Sequence, residues 1–498
     1  MDETASTANL AGKKRQLVSL VGARSVFWIM FGISFINYLD RYILTGAANV
    51  IAKELGFRLD GIGFITSAFL IVYTLAVLPL GLWADRARRK DIVALCVAIW
   101  SVATSLTALA GSFFTLFLSR MALGIGEAGY YPAGTALMSD YFNREQRSRI
   151  MSFWGMAELF GILGGYGIGG AVAGLYHGSW RLAFLITGIP GLLLAFLAWK
   201  RIREPRRNEA DEQAATLARE AGAEILPREV ALPPAALPPA ALPVEQQEPF
   251  LRRLWAQSVS LLHIKTLVVL TLVQVFAFFV LGVNVTFLPT YLQQKDIFGM
   301  SSGLAGLYSG GIIVLAGLIG SVAGGYAADW LDRRHAGARV LVCGICFLLS
   351  VPTYALAITL HNIWLFSLFF VLTALLLRAY NGPCSAATQD VTPAVLRASA
   401  MGISLLIAHL FGDAAAPALV GTLATFFDPT HGGHFAASMA GQDLSRALLI
   451  TCVPALLIAG LIGIFGARWM GSDVIAAKRA DDTMSTMRAE ASYVGREY

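Results

Sequence analysis

An all-α polytopic membrane protein, with twelve spanning helices in two pseudo-symmetric six-helix halves, is the fold class this sequence predicts. Three observations lead there. Of its 498 residues, 56% are hydrophobic and only 14% charged, too little polarity to cover the surface of a soluble chain of that length. The apolar residues run in long uncharged blocks, such as 101–118, 182–199, 266–288 and 449–465. Each block is long enough to cross a hydrocarbon slab of about 30 Å. Two charged motifs also recur, once in each half of the chain.

Residues 1–24 are polar and carry Lys13, Lys14, Arg15 and Arg24. No small-residue cleavage site follows a short apolar core, so no cleaved signal is expected. Six spans follow in the N-terminal half (25–203), at about 25–50, 61–84, 91–111, 113–140, 147–176 and 181–202. A polar linker (204–257) opens with charged, Ala-rich sequence and continues as LPPAALPPAALP. Its proline pairs lack amide donors, which predicts a semi-extended connection rather than a continuous helix. The C-terminal half (258–470) holds spans at about 262–292, 303–329, 338–360, 362–391, 397–427 and 444–470, before a polar tail, 471–498.

Lys and Arg set the expected orientation. Arg86, Arg88, Arg89 and Lys90, then Arg144, Arg147 and Arg149, then Lys200, Arg201 and Arg203 fall in one set of loops, with Arg333, Arg334, Arg339 and Arg397. The opposite loops hold scattered cations such as Lys53, Arg58, Arg181, Lys295 and Arg446. Both termini and the linker are therefore expected in the cytoplasm. The same distribution explains the net charge of +6 without a nucleic-acid partner. The five cysteines fall in predicted spans, and Cys343-x-x-Cys346 reads as a buried apolar pair. His431 and His434, as HGGH in an outer loop, lack a third metal ligand.

The duplicated motifs lie at matching places. GLWADRARRK ends the second span with Asp85 and Arg89, and GGYAADWLDRR ends the eighth with Asp329 and Arg333. Asp140 precedes Arg147 by the interval at which Asp390 precedes Arg397. A repeated six-helix unit is the architecture of many secondary carriers. Asp85, Arg89, Asp329 and Arg333 are expected to form a cytoplasmic latch.

A charge inside the hydrocarbon costs about 2.5–3.5 kcal/mol on insertion scales, so each needs a partner or a purpose. The first span carries NYLDRY, with Asn37, Asp40 and Arg41; the fourth carries Arg120 and Glu127. At about 1.5 Å rise per residue, Arg120 and Glu127 share a helix face turned into the bundle. A buried carboxylate favours its neutral form unless a cation is near. Asp40 and Glu127 could therefore exchange a proton as Arg120 approaches or withdraws, with Arg41 in the same set. Gly124-x-Gly126-x-x-Gly129 has the spacing of a dinucleotide loop, but no strand precedes it. Those glycines, like Gly161, Gly165 and Gly169, fit close helix contact instead.

Candidate substrate contacts are Asn37, Tyr130, Glu158, Arg378 and the one-turn pair His409 and Asp413. Arg378 is the favoured partner of an anionic head group, since a guanidinium grips phosphate or carboxylate bidentately.

G-x-x-A-D-R-x-x-R-K after the second span, its copy after the eighth, and the 6+6 layout resemble the major facilitator superfamily. N-Y-L-D-R, R-x-x-x-G-x-G-E-A and the segment beginning D-Y-F at Asp140 resemble its spinster-like branch. That resemblance implies proton-linked movement of lysolipids or sphingoid phosphates. It implies Asp40 and Glu127 as protonation sites with Arg120 as their charge partner. Tyr130-Tyr131-Pro132-Ala133 instead leans toward the branch that moves organic anions with protons or sodium. No cofactor is expected, only an ion gradient; the expected partners are the bilayer and a small amphipathic or anionic substrate, and the expected state is a monomer. A membrane-embedded lipid enzyme would need companions for His409 and Asp413, and a channel would need a ring of like charges.

Overall fold

The structure is a computed structural model that describes residues 19–220, 261–335, 337–393, 396–428 and 440–494. The N-terminal half contains α1 (Ala23–Leu55), α2 (Leu59–Arg86), α3 (Arg89–Thr107), α4 (Phe113–Ala128), α5 (Tyr130–Tyr141), α6 (Arg144–Ala173) and α7 (Trp180–Arg201). A linker helix, α8 (Glu209–Glu220), follows. The C-terminal half contains α9 (Lys265–Gln293), α10 (Ser302–Asp332), α11 (Ala338–Thr359), α12 (Ile363–Ala379), α13 (Asn381–Asp390), α14 (Arg397–Ala408), α15 (Ala416–Phe426) and α16 (Ala440–Val494).

Local chemistry sets the ends of these helices. Gly56 stops α1 in a left-handed conformation, φ 70°, which costs glycine little. Ser112 and Thr115 form a capping box that opens α4 and satisfies amides the helix cannot. The fourth and tenth spans each break into two helices, at Gly129 and at Tyr380. Each break lies three residues before a proline, Pro132 or Pro383, whose ring crowds the preceding turn. A five-residue π-helix, His409–Asp413, joins α14 to α15.

Among the described residues, ten helical segments are long and apolar enough to cross a membrane by length and composition. Outside those ten fall α1 and the α4–α5 pair, the helices that carry Asp40, Arg41, Arg120 and Glu127. Counting each broken span once and adding these two gives the twelve-helix architecture. The structure adds two details at the edges. Part of the linker is the helix α8, and α16 continues through the segment read as a tail to Val494. Both stretches are polar but rich in helix formers. The proline-rich repeat lies outside the described residues.

The internal repeat shows in side-chain detail. Arg89 bonds Asp140 and Arg339 bonds Asp390, each pair spanning 51 residues. Arg147 donates to the carbonyls eight and five residues before it, and Arg397 does the same. The counterpart of Arg89 is therefore Arg339, not Arg333. Additional loop residues delay the start of α11, and Arg333 is left exposed at the end of α10.

The halves join at the end of the bundle away from α8. There Arg58 pairs with Asp428 at 2.9 Å and donates to the Thr425 carbonyl at 3.1 Å. The Ser67 hydroxyl accepts from Ala418 N at 3.0 Å, and Ser302 donates to the Gly170 carbonyl at 2.7 Å. Ala48, Ala52, Leu59 and Ile62 of the N-terminal half belong to the apolar core of the C-terminal half. Toward the linker end the helices diverge. A Cβ on Gly310 of α10 would lie 3.2 Å from Leu163 of α6, yet one on Gly317, two turns on, would meet nothing within 4 Å.

Candidate functional site

A central cavity of about 270 Å³ lies between the halves. It brings together Arg41, Arg120 and Glu158 from one half with Arg378, His409 and Asp413 from the other. Six of the ten residues proposed for coupling or substrate contact thus line one cavity.

Asp40 and Arg41 are adjacent on α1 and face different ways. Asp40 is completely buried within its own half, where Thr104 donates to it at 3.1 Å and Thr187 flanks it. Arg41 reaches the cavity and grips one Glu127 oxygen through Nε at 3.0 Å and Nη2 at 2.5 Å. Glu127 is 1% exposed, so this pair is shielded from water on its acidic side. The rings of Tyr38, Phe69 and Tyr73 surround the Arg41 guanidinium at 5.4, 5.1 and 4.9 Å, a cation–π cage that holds it in place.

The expected pairing of Arg120 is not what the structure holds. Arg120 donates to Thr107 at 3.2 Å and lies over the Phe184 ring at 4.7 Å. No ion pair to it occurs among the described residues. The helix itself explains this. Seven residues separate Arg120 from Glu127, and Arg41 enters from α1 at the level of the glutamate. Arg120 keeps one buried, unpartnered Nε.

Other candidates divide between the cavity and the helix packing. Glu158 lies on the wall beside Tyr38, with Arg41 and Arg378 as its cationic neighbours. His409 Nδ1 lies 3.0 Å from Asp413 Oδ2, and its ring packs edge-on against Phe278. Asn37 is buried beside Glu127, behind Arg41. Tyr130 points away from the cavity. It packs edge-on against Trp100 and Trp154 and is 2% exposed, so it shapes the half rather than touching substrate. The cavity also takes in Tyr38, Tyr42, Phe69, Phe278 and Asn381, which the sequence reading missed. Two of those tyrosines flank Asp40-Arg41 in the sequence, and that adjacency was the available signal.

Among the described side chains, the proposed latch residues Arg89, Asp329 and Arg333 do not pair across the halves in this state. Arg89 pairs with Asp140 inside its own half, and Asp329 lies 3.7 Å from Arg339 inside the other. The side chain of Asp85, like His431 and His434, lies outside the described residues. At the opposite end Glu54 braces the N-terminal half, bonded by Arg181 and by Gly178 N at 2.9 Å. Burial pushes its carboxyl up, but these hydrogen bonds prevail and hold it below the ordinary range.

The glycines behave as packing devices. A Cβ on Gly165 would lie 2.6 Å from the Leu39 carbonyl oxygen, and one on Gly126 would lie 2.6 Å from Trp100 N. All five cysteines are buried and free.

The Major Facilitator Superfamily model matches residues 30–352. The chain belongs to the major facilitator superfamily. It is therefore a transporter and not an enzyme. Spinster homolog 1 of Xenopus tropicalis is 24% identical over 485 residues, covering 93% of this chain and 84% of that one. A sphingosine-1-phosphate transporter of Danio rerio is 24% identical over 451 residues, 87% of this chain and 81% of that one. The "Probable L-galactonate transporter" of Escherichia coli (strain K12) is 29% identical over 362 residues, 70% and 73% of the two chains. The fold matches a bacterial homologue of the human lysosomal transporter spinster, solved inward-facing and unoccupied. That match has a TM-score of 0.70 at 22% identity and covers 92% of this chain and 98% of the other. Similarity to spinster proteins thus extends across nearly the whole transporter.

Proposed function

We propose that this transporter couples protons to the movement of an amphipathic anion, a lysophospholipid or sphingoid phosphate, by alternating access. One observation carries the reading. Arg378 stands on the wall of the central cavity and also on that of a narrow side chamber of about 30 Å³. Ile312, Ala316, Phe370 and Leu377 line the chamber. The chamber is too small to take a whole acyl tail, so what supports the reading is a guanidinium set beside apolar side chains, which suits a charged head joined to a greasy tail.

Arg41 supplies the coupling. Glu127 holds it through two bonds, and an arriving anionic head group competes for the same guanidinium. Glu127 then loses its cation in a buried place, where the neutral form is favoured, and takes a proton. Asp40, held only by hydroxyls, is the second proton site. The Lys and Arg distribution supports cytoplasmic termini, and the membrane proposed is a bacterial inner membrane. With that orientation the transporter is captured open to the cytoplasm, and Asp85, Arg89, Asp329 and Arg333 close the linker end in the opposite state. The carrier acts as a monomer.

Resemblance to the L-galactonate transporter favours a second reading, symport of a small organic anion with protons or sodium. Proteoliposomes holding a pH gradient separate the two. Radiolabelled lysophospholipid should move and a hexonate should not; the reverse result selects the second reading. Glu127→Gln should abolish gradient-driven accumulation while leaving counterflow exchange within about twofold. Full accumulation in that variant would overturn the coupling role.

A further inference from the structure

On the lipid side of the N-terminal half, α3 and α7 border an open groove of about 1120 Å³ at the linker end. Its walls are apolar. Leu95, Phe196 and Trp199 are each at least 44% exposed, as suits surface that meets lipid tails. Its rim is cationic, formed by Arg88, Lys90 and Lys200. The Lys90 ammonium bridges the two helices by donating to the Trp199 carbonyl at 3.4 Å. Lys200 lies 5.6 Å from the Phe196 ring centroid. Asp91 is the one acidic residue of the lining and lies 4.0 Å from Arg88, too far for a strong bond.

The matching place in the C-terminal half has no such rim. Arg339, the counterpart of Arg89, is paired with Asp390 as Arg89 is with Asp140, but its neighbours are Ala338 and Val340 where the N-terminal half has Arg88 and Lys90. Glu204 accepts from the backbone amides of Arg89 and Lys90 at 2.9 Å, and Asp91 is the one carboxylate of the lining itself. Orientation alone would require cations on the loops of both halves, but not three of them crowning an apolar slot. Basic pockets between spanning helices suit anionic lipid head groups.

The geometry points to an anionic phospholipid site in the α3–α7 groove, separate from the transport cavity. The phosphate of a lipid such as phosphatidylglycerol sits among Arg88, Lys90 and Lys200, and its acyl chains lie along Leu95, Phe196 and Trp199. Charge complementarity selects the head group, and the exposed apolar floor selects a lipid over a soluble phosphate. The site does not depend on the identity of the transported substrate.

Native mass spectrometry of the full-length protein, titrated with phosphatidylglycerol or phosphatidylcholine, tests this. Phosphatidylglycerol should be retained preferentially. The triple variant Arg88→Ala/Lys90→Ala/Lys200→Ala should bind it roughly a hundredfold more weakly, with phosphatidylcholine retention unchanged. The charge-preserving variant Arg88→Lys/Lys90→Arg/Lys200→Arg should retain it, which guards against a folding or insertion defect. Equal retention by the alanine triple overturns the site. Displacement of the lipid by equimolar inorganic phosphate also overturns it, by showing that the groove reads phosphate alone.

Discussion

At the scale of single residues, the centre of this transporter depends on which arginine holds Glu127. The structure gives that place to Arg41, through two bonds to one carboxylate oxygen, and leaves Arg120 with a hydroxyl and a ring. Removing one member of a buried pair strands the other, at about 3–5 kcal/mol, whereas losing a single hydrogen bond costs about 1 kcal/mol. In detergent unfolding experiments, Arg41→Ala should therefore destabilise more than Arg120→Met, by about 2 kcal/mol or more. Adding Glu127→Gln to Arg41→Ala should recover most of the loss. Equal effects of the two arginine variants would return Arg120 to the role the sequence suggested. Charge counting found all four ionisable residues of the site's N-terminal core. It could not pair them, because Asp40 and Arg41, one residue apart, point about 100° apart around the helix. Tertiary geometry chooses between those directions, and helical spacing does not.

At the scale of helices, α1 and α6 meet through a ladder of small residues. Gly161 and Gly165 each approach a backbone carbonyl of α1, those of Phe35 and Leu39, and a Cβ on either would stand 2.6 Å from the oxygen. Backbone cannot yield as a side-chain tip can, so even one methyl group forces the helices apart. Gly165→Ala should cost about 1–3 kcal/mol. Gly155→Ala, on the same helix with nothing within 4 Å, should be nearly neutral in the same melting assay. This ladder was legible in the sequence because its four-residue spacing is a local pattern. So were the spans, since bilayer thickness fixes their length. The breaks at Gly129 and Tyr380 were less visible, because apolar composition runs straight through them. The π-helix at His409–Asp413 was not visible at all. It keeps His409 and Asp413 together as a normal turn would, so the sequence paired the two side chains on a helix of the wrong pitch.

At the scale of the whole molecule, two rigid halves touch at one end and part at the other, and the contact region is what must break for the cycle to proceed. Most of that contact is close packing of small residues, which stores no charge and can separate and re-form. The ion pair between Arg58 and Asp428, 22% and 9% exposed, is different in kind: it is directional and ties the start of α2 to the end of α15. A partly buried pair of this sort is worth about 1–2 kcal/mol. Since 1.4 kcal/mol changes a population ratio about tenfold, the pair holds the outer end shut by roughly that factor. Arg58→Glu sets a like charge against Asp428 and should shift the population toward a state open at this end. A cysteine introduced at Thr45, which lines the cavity and is 8% exposed, reports the change against five buried native thiols. Its labelling from that side by an impermeant maleimide should rise about five- to thirtyfold in the Arg58→Glu background. Labelling that stays at the parent level would mean that packing alone closes this end, with the ion pair a passenger on it.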